Sequence, residues 1–149
     1  MSSPLIKSIL LVLFLMSSTK LCQAQDNYIQ SIGIRGGPVA GATYKRFLGV
    51  PGAIEGIVGI NFNGRLFTMT GLYEHHFALG YHLNVYGGGG LTIAFNSSEF
   101  RLPLEAIGGF EYTMPKFPLN IGIDYKPSFN MLKAELIWNE FGIFARYIF

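Results

Sequence analysis

The sequence predicts an all-β protein: an eight-stranded antiparallel up-and-down transmembrane β-barrel that follows an N-terminal signal peptide. Three observations lead to this prediction. Short segments alternate apolar and polar residues with the two-residue period of a β-strand. Glycine and proline interrupt these segments about every ten residues, as turns do. Of 149 residues, 19 are Gly, 13 Phe and 8 Tyr, whereas charged residues make up only 13%, a composition typical of short membrane-crossing strands.

Residues 1–24 have the organisation of a secretory signal peptide. Lys7 supplies the positive start, Ile9–Met16 form an apolar run, and Cys22 and Ala24 place small residues at positions −3 and −1 of a cleavage site. The apolar run is shorter than the roughly 20 residues of a transmembrane helix. We therefore expect cleavage after Ala24 and one barrel domain over residues 25–149. Lipidation of Cys22 is the alternative, but the two residues before it, Lys and Leu, are larger than a lipidation motif wants.

The composition of the remaining chain excludes several classes of protein. Of 11 Lys and Arg residues, two lie in the signal, which leaves nine against nine Asp and Glu. This balance does not provide the basic surface that nucleic acid requires, so no nucleic-acid partner is expected. The single cysteine also lies in the signal, which rules out a disulfide or a cysteine-based metal site in the mature domain. No cofactor is predicted.

Eight segments have the length and patterning of strands. They are Tyr28–Gly36, Ala40–Leu48, Ala53–Phe62, Leu66–Phe77, Leu83–Phe95, Leu104–Tyr112, Leu119–Ser128 and Glu140–Phe149. The first two are the weakest, and Arg46 in the second would have to extend to a membrane interface. The longer connections, Asn96–Pro103 and Phe129–Asn139, are expected at the outer end of the barrel, and the shorter turns at the periplasmic end with both termini.

The final strand alternates clearly. One face carries Phe141, Ile143, Ala145, Tyr147 and Phe149, and the other carries Gly142, Phe144, Arg146 and Ile148. Apolar residues on one face with small or charged residues on the other are what a lipid-facing strand needs.

This aromatic last strand resembles the C-terminal targeting strand of bacterial outer-membrane barrels. Together with the signal and the eight alternating segments, it makes the chain resemble the outer membrane protein β-barrel domain family, the small porin-like barrels of Gram-negative envelopes. The resemblance implies an outer-membrane location, contact with outer-membrane lipid and lipopolysaccharide, and insertion by the barrel assembly machinery, which would read the assembly signal Phe141, Ile143, Ala145, Tyr147 and Phe149. It implies no single biochemical function, because this scaffold serves several.

Charged residues on the polar faces of the strands predict an ionic network inside the barrel. The cations are Arg35, Lys45, Lys126 and Arg146, and the carboxylates are Glu55, Glu74, Glu105, Glu111 and Asp124. Breaking a buried pair costs several kcal/mol, so these charges should pair. Side chains roughly fill an eight-stranded lumen, and we therefore interpret the network as a structural plug rather than a conduit or a catalytic site.

The histidines do not predict a metal site. His75 and His76 are adjacent and face opposite sides of a strand, so a site would need His76, His82 and Glu74 to converge. The run Gly87–Gly90 lacks the Lys-Ser/Thr ending of a phosphate-binding loop. We expect it to allow curvature or close packing across the wall.

An enzyme that modifies lipid would require a serine activated by histidine. Ser97 and Ser98 lie in an outer loop and Ser128 ends the seventh strand, whereas all three histidines lie at the predicted periplasmic end. The sequence Lys126-Pro127-Ser128 also differs from the His-x-Ser pattern of lipid A deacylases. A lipid A hydrolase or acyltransferase is therefore an alternative only for an inverted topology.

The leading hypothesis is a non-enzymatic outer-membrane barrel with a structural or surface-interaction role. Its second long loop carries an apolar set, Met131, Leu132, Leu136, Ile137 and Trp138. This set could contact lipopolysaccharide or another surface ligand, or it could extend two strands above the membrane. The alternatives are a small pore or hydrophobic-solute channel, a lipid-modifying enzyme, and a soluble periplasmic barrel that binds a small ligand.

Overall fold

The computed structural model describes residues 29–49 and 51–149. The predicted signal peptide, its cleavage site and Cys22 lie outside the described residues, as does Tyr28. The described strands are β1 (Gln30–Gly36), β2 (Val39–Gly49), β3 (Gly52–Asn61), β4 (Leu66–Ala78), β5 (Leu83–Phe95), β6 (Phe100–Arg101), β7 (Pro103–Thr113), β8 (Leu119–Tyr125), β9 (Ser128–Asn130), β10 (Glu135–Ile137) and β11 (Phe141–Ile148). No described helix is long and apolar enough to cross a membrane.

Eight of these strands form a closed antiparallel barrel in the order β1-β2-β3-β4-β5-β7-β8-β11, and β11 pairs with β1. Paired residues on successive strands can be followed around the barrel from Ala145 on β11 in both directions, and both paths reach β5. One path passes through Ile34, Ala42, Val58 and Met69 to Ile93. The other passes through Ile121 and Tyr112 to Leu83. Ile93 and Leu83 are ten residues apart on β5. This stagger is the one that tilted strands need to close a barrel. The predicted eight-stranded antiparallel barrel is confirmed.

The extents of the last predicted strands were wrong. The predicted strand Leu119–Ser128 ends at Tyr125 and resumes as β9, because Pro127 has no N–H to donate to a ladder. Its carbonyl still accepts a hydrogen bond from the Ala106 amide at 3.0 Å, so the wall continues on that side. β9 then pairs with β7 and with β10. The segment predicted as the loop Phe129–Asn139 is therefore largely a β-hairpin that extends two strands beyond the barrel.

The two ends of the barrel differ in their connections. The terminal end holds the start of β1, the end of β11 and the turns that follow β2, β4 and β7. The loop end holds the β9–β10 hairpin and the connection between β5 and β7, where β6 folds back to pair with β5. The strand pleat sends alternate side chains into the lumen, and the buried residues of the described chain are chiefly these inward ones.

Candidate functional site

All nine charged residues of the predicted interior network point into the barrel, and none is more than 5% exposed. The alternation of the strands places them there. They separate into two groups. The terminal-side cluster contains Lys45, Glu55, Glu74, Glu111 and Arg146 together with His76. The loop-side cluster contains Arg35, Glu105, Asp124 and Lys126 together with Glu140.

Lys45 is the hub of the terminal-side cluster. Its Nζ lies 2.6 Å from Glu74 Oε2, 3.4 Å from Glu111 Oε2 and 3.6 Å from Glu55 Oε2. The Arg146 guanidinium also donates to Glu55, whose carboxylate accepts a further hydrogen bond from Thr43. Two cations therefore pair with three fully enclosed carboxylates, and buried charges are stable only when they are paired in this way.

His76 completes this cluster. Its Nε2 lies 3.0 Å from Glu74 Oε2 and its Nδ1 lies 3.3 Å from Glu111 Oε1. The imidazole also stacks on the Tyr86 ring at a centroid separation of 5.0 Å. His76 was not among the residues predicted for the interior network. The sequence did contain a signal for this contact, because His76 lies two residues after Glu74 and residues two apart on a strand face the same side.

The loop-side cluster is built around two cations. Arg35 Nη2 lies 2.5 Å from Asp124 Oδ1, and Arg35 Nη1 donates to the Val39 carbonyl at 3.0 Å. Lys126 Nζ lies 2.7 Å from Glu105 Oε2 and 2.8 Å from Glu140 Oε1. Glu140 was not among the predicted interior charges, because it is the first residue of the predicted last strand, beside the outer loop.

A small cavity of about 20 Å³ lies beside the loop-side cluster, which is room for roughly one water molecule. Its lining includes Thr68, Thr92, Glu105 and Lys126. Thr68 Oγ1 is buried and makes no hydrogen bond. A single water at this position would satisfy that hydroxyl, because such polar, enclosed sites are where buried water is found.

An apolar layer packs inside the lumen beside charged residues of both clusters, because Phe144 is the ladder partner of Arg35 and Leu72 that of Glu55. It consists of Ile57, Leu72, Tyr86, Ile107 and Phe144, none more than 5% exposed. On β7, Ile107 lies between Glu105 of the loop-side cluster and Glu111 of the terminal-side cluster. The layer also contacts the charges, because Lys45 Nζ lies 4.3 Å from the Tyr86 ring centre and Arg146 Cζ lies 3.7 Å from that of Phe144. Such cation–π contacts stabilise desolvated cations.

Inward glycines make space for the large side chains of the interior. A Cβ added at Gly109 would lie 2.7 Å from the Tyr86 ring, and one at Gly122 would overlap the Phe144 ring. A Cβ at Gly142 would likewise meet the Arg35 guanidinium. These glycines let a ring or a guanidinium lie flat against the neighbouring strand, which a strand glycine permits.

The remaining histidines and the loop serines do not form a catalytic group. His75 faces outward, 4.6 Å from the Phe77 ring, and His82 lies in the turn after β4 at the terminal end. Ser97 and Ser98 follow β5 at the opposite, loop end. Within the described ranges, no group of three or more His, Cys, Asp or Glu residues is arranged to hold a metal ion.

Glu99 ties two loop-end segments together. Its Oε1 accepts hydrogen bonds from Arg101 Nε at 2.8 Å and from Lys133 Nζ at 2.6 Å. These hydrogen bonds, to Arg101 first and then to Lys133, lower the pKa of Glu99 to about 2. The contact, which we call the Glu99 clasp, links the β5–β7 connection to the tip of the β9–β10 hairpin.

The residues of the predicted assembly signal lie on the outer surface of β11. Phe141, Ile143, Tyr147 and Phe149 are exposed and Ala145 is half-buried. Their recognition by an assembly machinery stays a prediction.

The comparisons with known proteins agree with this architecture. No protein-family model matches the sequence, and no curated protein is similar to it. Among solved structures, the chain is similar to the N-terminal β-barrel domain of Pseudomonas aeruginosa OprF, with a TM-score of 0.67 and 16% identity. The match covers 80% of this chain and 96% of that domain. At the level of fold, the chain is an eight-stranded barrel of the kind that the sequence resemblance implied.

Proposed function

We propose that this chain is a non-enzymatic outer-membrane barrel with a plugged interior and a loop end that contacts lipopolysaccharide. The observation that carries the proposal is the inverted arrangement of its side chains. Charged residues are buried inside the barrel, and large apolar residues are exposed outside it. In a water-soluble protein this arrangement would be reversed.

Each of the eight barrel strands contributes to the exposed apolar surface. Examples, one from each strand in barrel order, are Ile34, Tyr44, Val58, Met69, Ile93, Phe110, Ile123 and Ile143, all at least 37% exposed. On the described barrel strands the exposed charge is Arg46, close to the terminal end of β2. A continuous apolar belt of this extent would be an association surface in water, whereas hydrocarbon covers it without cost.

The filled lumen supports a structural role over transport. The apolar layer and the two charged clusters fill the interior together with other buried side chains. An ion crossing the barrel would have to displace paired charges and buried apolar side chains. A small pore remains the competing function, and conductance separates the two.

A non-enzymatic role is supported by the placement of the groups that lipid hydrolysis would use. The loop serines Ser97 and Ser98 lie at one end of the barrel, and His76 is enclosed between Glu74 and Glu111 near the other. A nucleophile and its base must be within hydrogen-bond reach.

Membrane insertion is tested by expressing the full chain, separating outer membranes, and running gels with and without boiling. We expect the protein in the outer-membrane fraction and a shift in mobility on boiling, which reports a closed barrel. The purified barrel should leave planar bilayers silent. Release by osmotic shock as a soluble protein would contradict the membrane location, and regular unitary currents would instead establish the pore.

The β9–β10 hairpin is the proposed lipopolysaccharide contact. It exposes Leu136 and Trp138 beyond the barrel wall, with Met131 and Leu132 at its tip. Exposed apolar residues grouped in this way mark interaction surfaces. Lys133, also at the tip and 54% exposed at its side chain, adds a cation for phosphate groups.

The chain contains one tryptophan, so the fluorescence of Trp138 reports on this hairpin directly. We expect a blue shift when lipopolysaccharide is added to the barrel in phospholipid vesicles, and a weaker response in Leu136→Ser. Val58→Ser, on the wall of β3, is the control and should respond as the wild type does. An unchanged spectrum would contradict the contact and leave the membrane location untouched.

A further inference from the structure

A groove of about 520 Å³ indents the outward face of the barrel across β7, β8, β11 and β1. Its flanks are formed by Phe110, Ile123, Tyr125, Phe141 and Ile143. The rings of Tyr125 and Phe141 are 4.7 Å apart, at the end of the groove nearest the loops. This concave region lies between protruding apolar side chains of the wall.

Two outward glycines open the groove. Gly108 pairs with Tyr125 and Gly36 pairs with Ile143, so each leaves a gap beside a large side chain. Packing inside the barrel does not require either glycine, because an added Cβ would meet nothing closer than 3.9 Å at Gly108 and 3.8 Å at Gly36. They differ in this respect from the inward Gly109, where the Tyr86 ring fills the space.

The side chains around the groove are almost entirely apolar. Asp124 also borders it, but its carboxylate is turned into the lumen and held by Arg35 at 2.5 Å. The Tyr125 hydroxyl is the polar side-chain group left at the surface, and it lies at the loop end of the wall. The groove therefore fits an extended hydrocarbon chain.

We propose that this groove holds one acyl chain of a membrane phospholipid. The proposal rests on the membrane location argued above, because that location places hydrocarbon chains against this wall. Lipids around a convex barrel wall contact protein on one side, whereas a chain in the groove contacts apolar side chains on several sides. More dispersion contacts give such a chain a longer residence than its neighbours have.

Native mass spectrometry of the full barrel, released by detergent from phosphatidylethanolamine–phosphatidylglycerol vesicles, tests the proposal. We expect a peak with one phospholipid retained. Gly108→Leu places a side chain in the groove, with its Cβ 3.9 Å from the nearest atom, and should lower that occupancy about tenfold, since displacing one or two methylene contacts has an effect of that size. Gly71→Leu is the matched control, because Gly71 also faces outward and has no atom within 4 Å of an added Cβ.

Quenching locates the bound chain. With Trp138→Phe as the background, Phe141→Trp reports from the groove and Phe67→Trp from the outward face of β4, also near the loop end. In vesicles containing brominated acyl chains, Phe141→Trp should stay quenched after dilution into unbrominated vesicles for longer than Phe67→Trp does.

Three outcomes overturn the proposal. Wild-type barrel that retains no lipid, a Gly108→Leu variant that retains lipid as the wild type does, or equal exchange at the two tryptophans would each show that the groove holds no resident chain. Retention of lipopolysaccharide instead, from barrel taken out of outer membranes, would replace the phospholipid. Failure of the protein to enter vesicles would contradict the membrane location itself, which keeps the two failures distinct.

Discussion

Lys45 on β2 and Glu111 on β7 approach to 3.4 Å, between Nζ and Oε2, from opposite walls of the barrel. Their strands are four apart in either direction around the eight-stranded ring. The side chains of both residues are fully enclosed. Their contact spans the lumen and fixes the distance between walls that share no backbone hydrogen bonds.

Replacing Lys45 with Met should lower the free energy of unfolding by about 3–5 kcal/mol, because three buried carboxylates lose a shared cation. Urea unfolding of the barrel in phospholipid vesicles measures the change. Arg46→Met removes the same charge from the next residue, which is exposed, and should cost less than about 1 kcal/mol. Equal effects of the two substitutions would contradict the importance of the terminal-side cluster.

Gly109→Ala should destabilise the barrel by about 1–3 kcal/mol, because its methyl group would lie 2.6 Å from the Ile123 carbonyl oxygen and 2.7 Å from the Tyr86 ring. Gly108→Ala is the matched control on the neighbouring residue, where the nearest atom is 3.9 Å away. Thermal unfolding followed by circular dichroism compares the two. A Gly109→Ala barrel as stable as the Gly108→Ala barrel would mean that neither the Ile123 carbonyl nor the Tyr86 ring packs closely against Gly109.

Phe144→Ala should lower the free energy of unfolding by about 3–5 kcal/mol, the usual cost of removing a buried aromatic ring. The substitution also removes the ring that lies 3.7 Å from Arg146 Cζ. Phe141→Ala, on the outward face of β11, should cost less because lipid can fill the space. Combining Phe144→Ala with Tyr86→Ala should produce unitary currents in planar bilayers, and silence from a folded double variant would show that other side chains close the lumen.

The Glu99 clasp should open in acid. The pKa of the Glu99 carboxyl is about 2, below its ordinary value of 4.5. The clasp is therefore stabilised above pH 4.5 and is lost as the pH falls towards 2. Spin labels on Ser97→Cys and Ala134→Cys should report a longer distance at low pH. Glu99→Gln should give the long distance at every pH, whereas Glu135→Gln, elsewhere on the hairpin, should keep the transition. A constant distance in the wild type would contradict the clasp.

The fold could be predicted because its signals are local. The strict alternation in segments such as Ala53–Phe62 fixes both the strand and its inward face. The first hairpin was the weakest prediction, since Gly33 and Gly41 dilute its pattern. In the structure, a side chain at each of these positions would overlap the backbone of a neighbouring strand, so the glycines belong to close strand contact rather than to turns.

The partners inside the barrel could not be predicted from the sequence. Alternation places Lys45 and Glu111 in the lumen, but which carboxylate meets which cation depends on the stagger between strands. That stagger is set by ladder register and turn geometry together. The break at Pro127 and the inward direction of Glu140 follow from tertiary pairing at the loop end, where the local pattern carries little information.

The distribution of charges over the strands has a consequence for how the barrel assembles. Glu55 on β3 forms an ion pair with Arg146 on β11. The pair can form only when β11, the strand that closes the barrel, is in place. A slip of one residue in β11 would turn Arg146 towards lipid and Tyr147 into the lumen. The slipped strand could still form backbone hydrogen bonds, but it would leave buried carboxylates without their cation. The interior ion pairs therefore favour the correct register of β11 when the barrel closes.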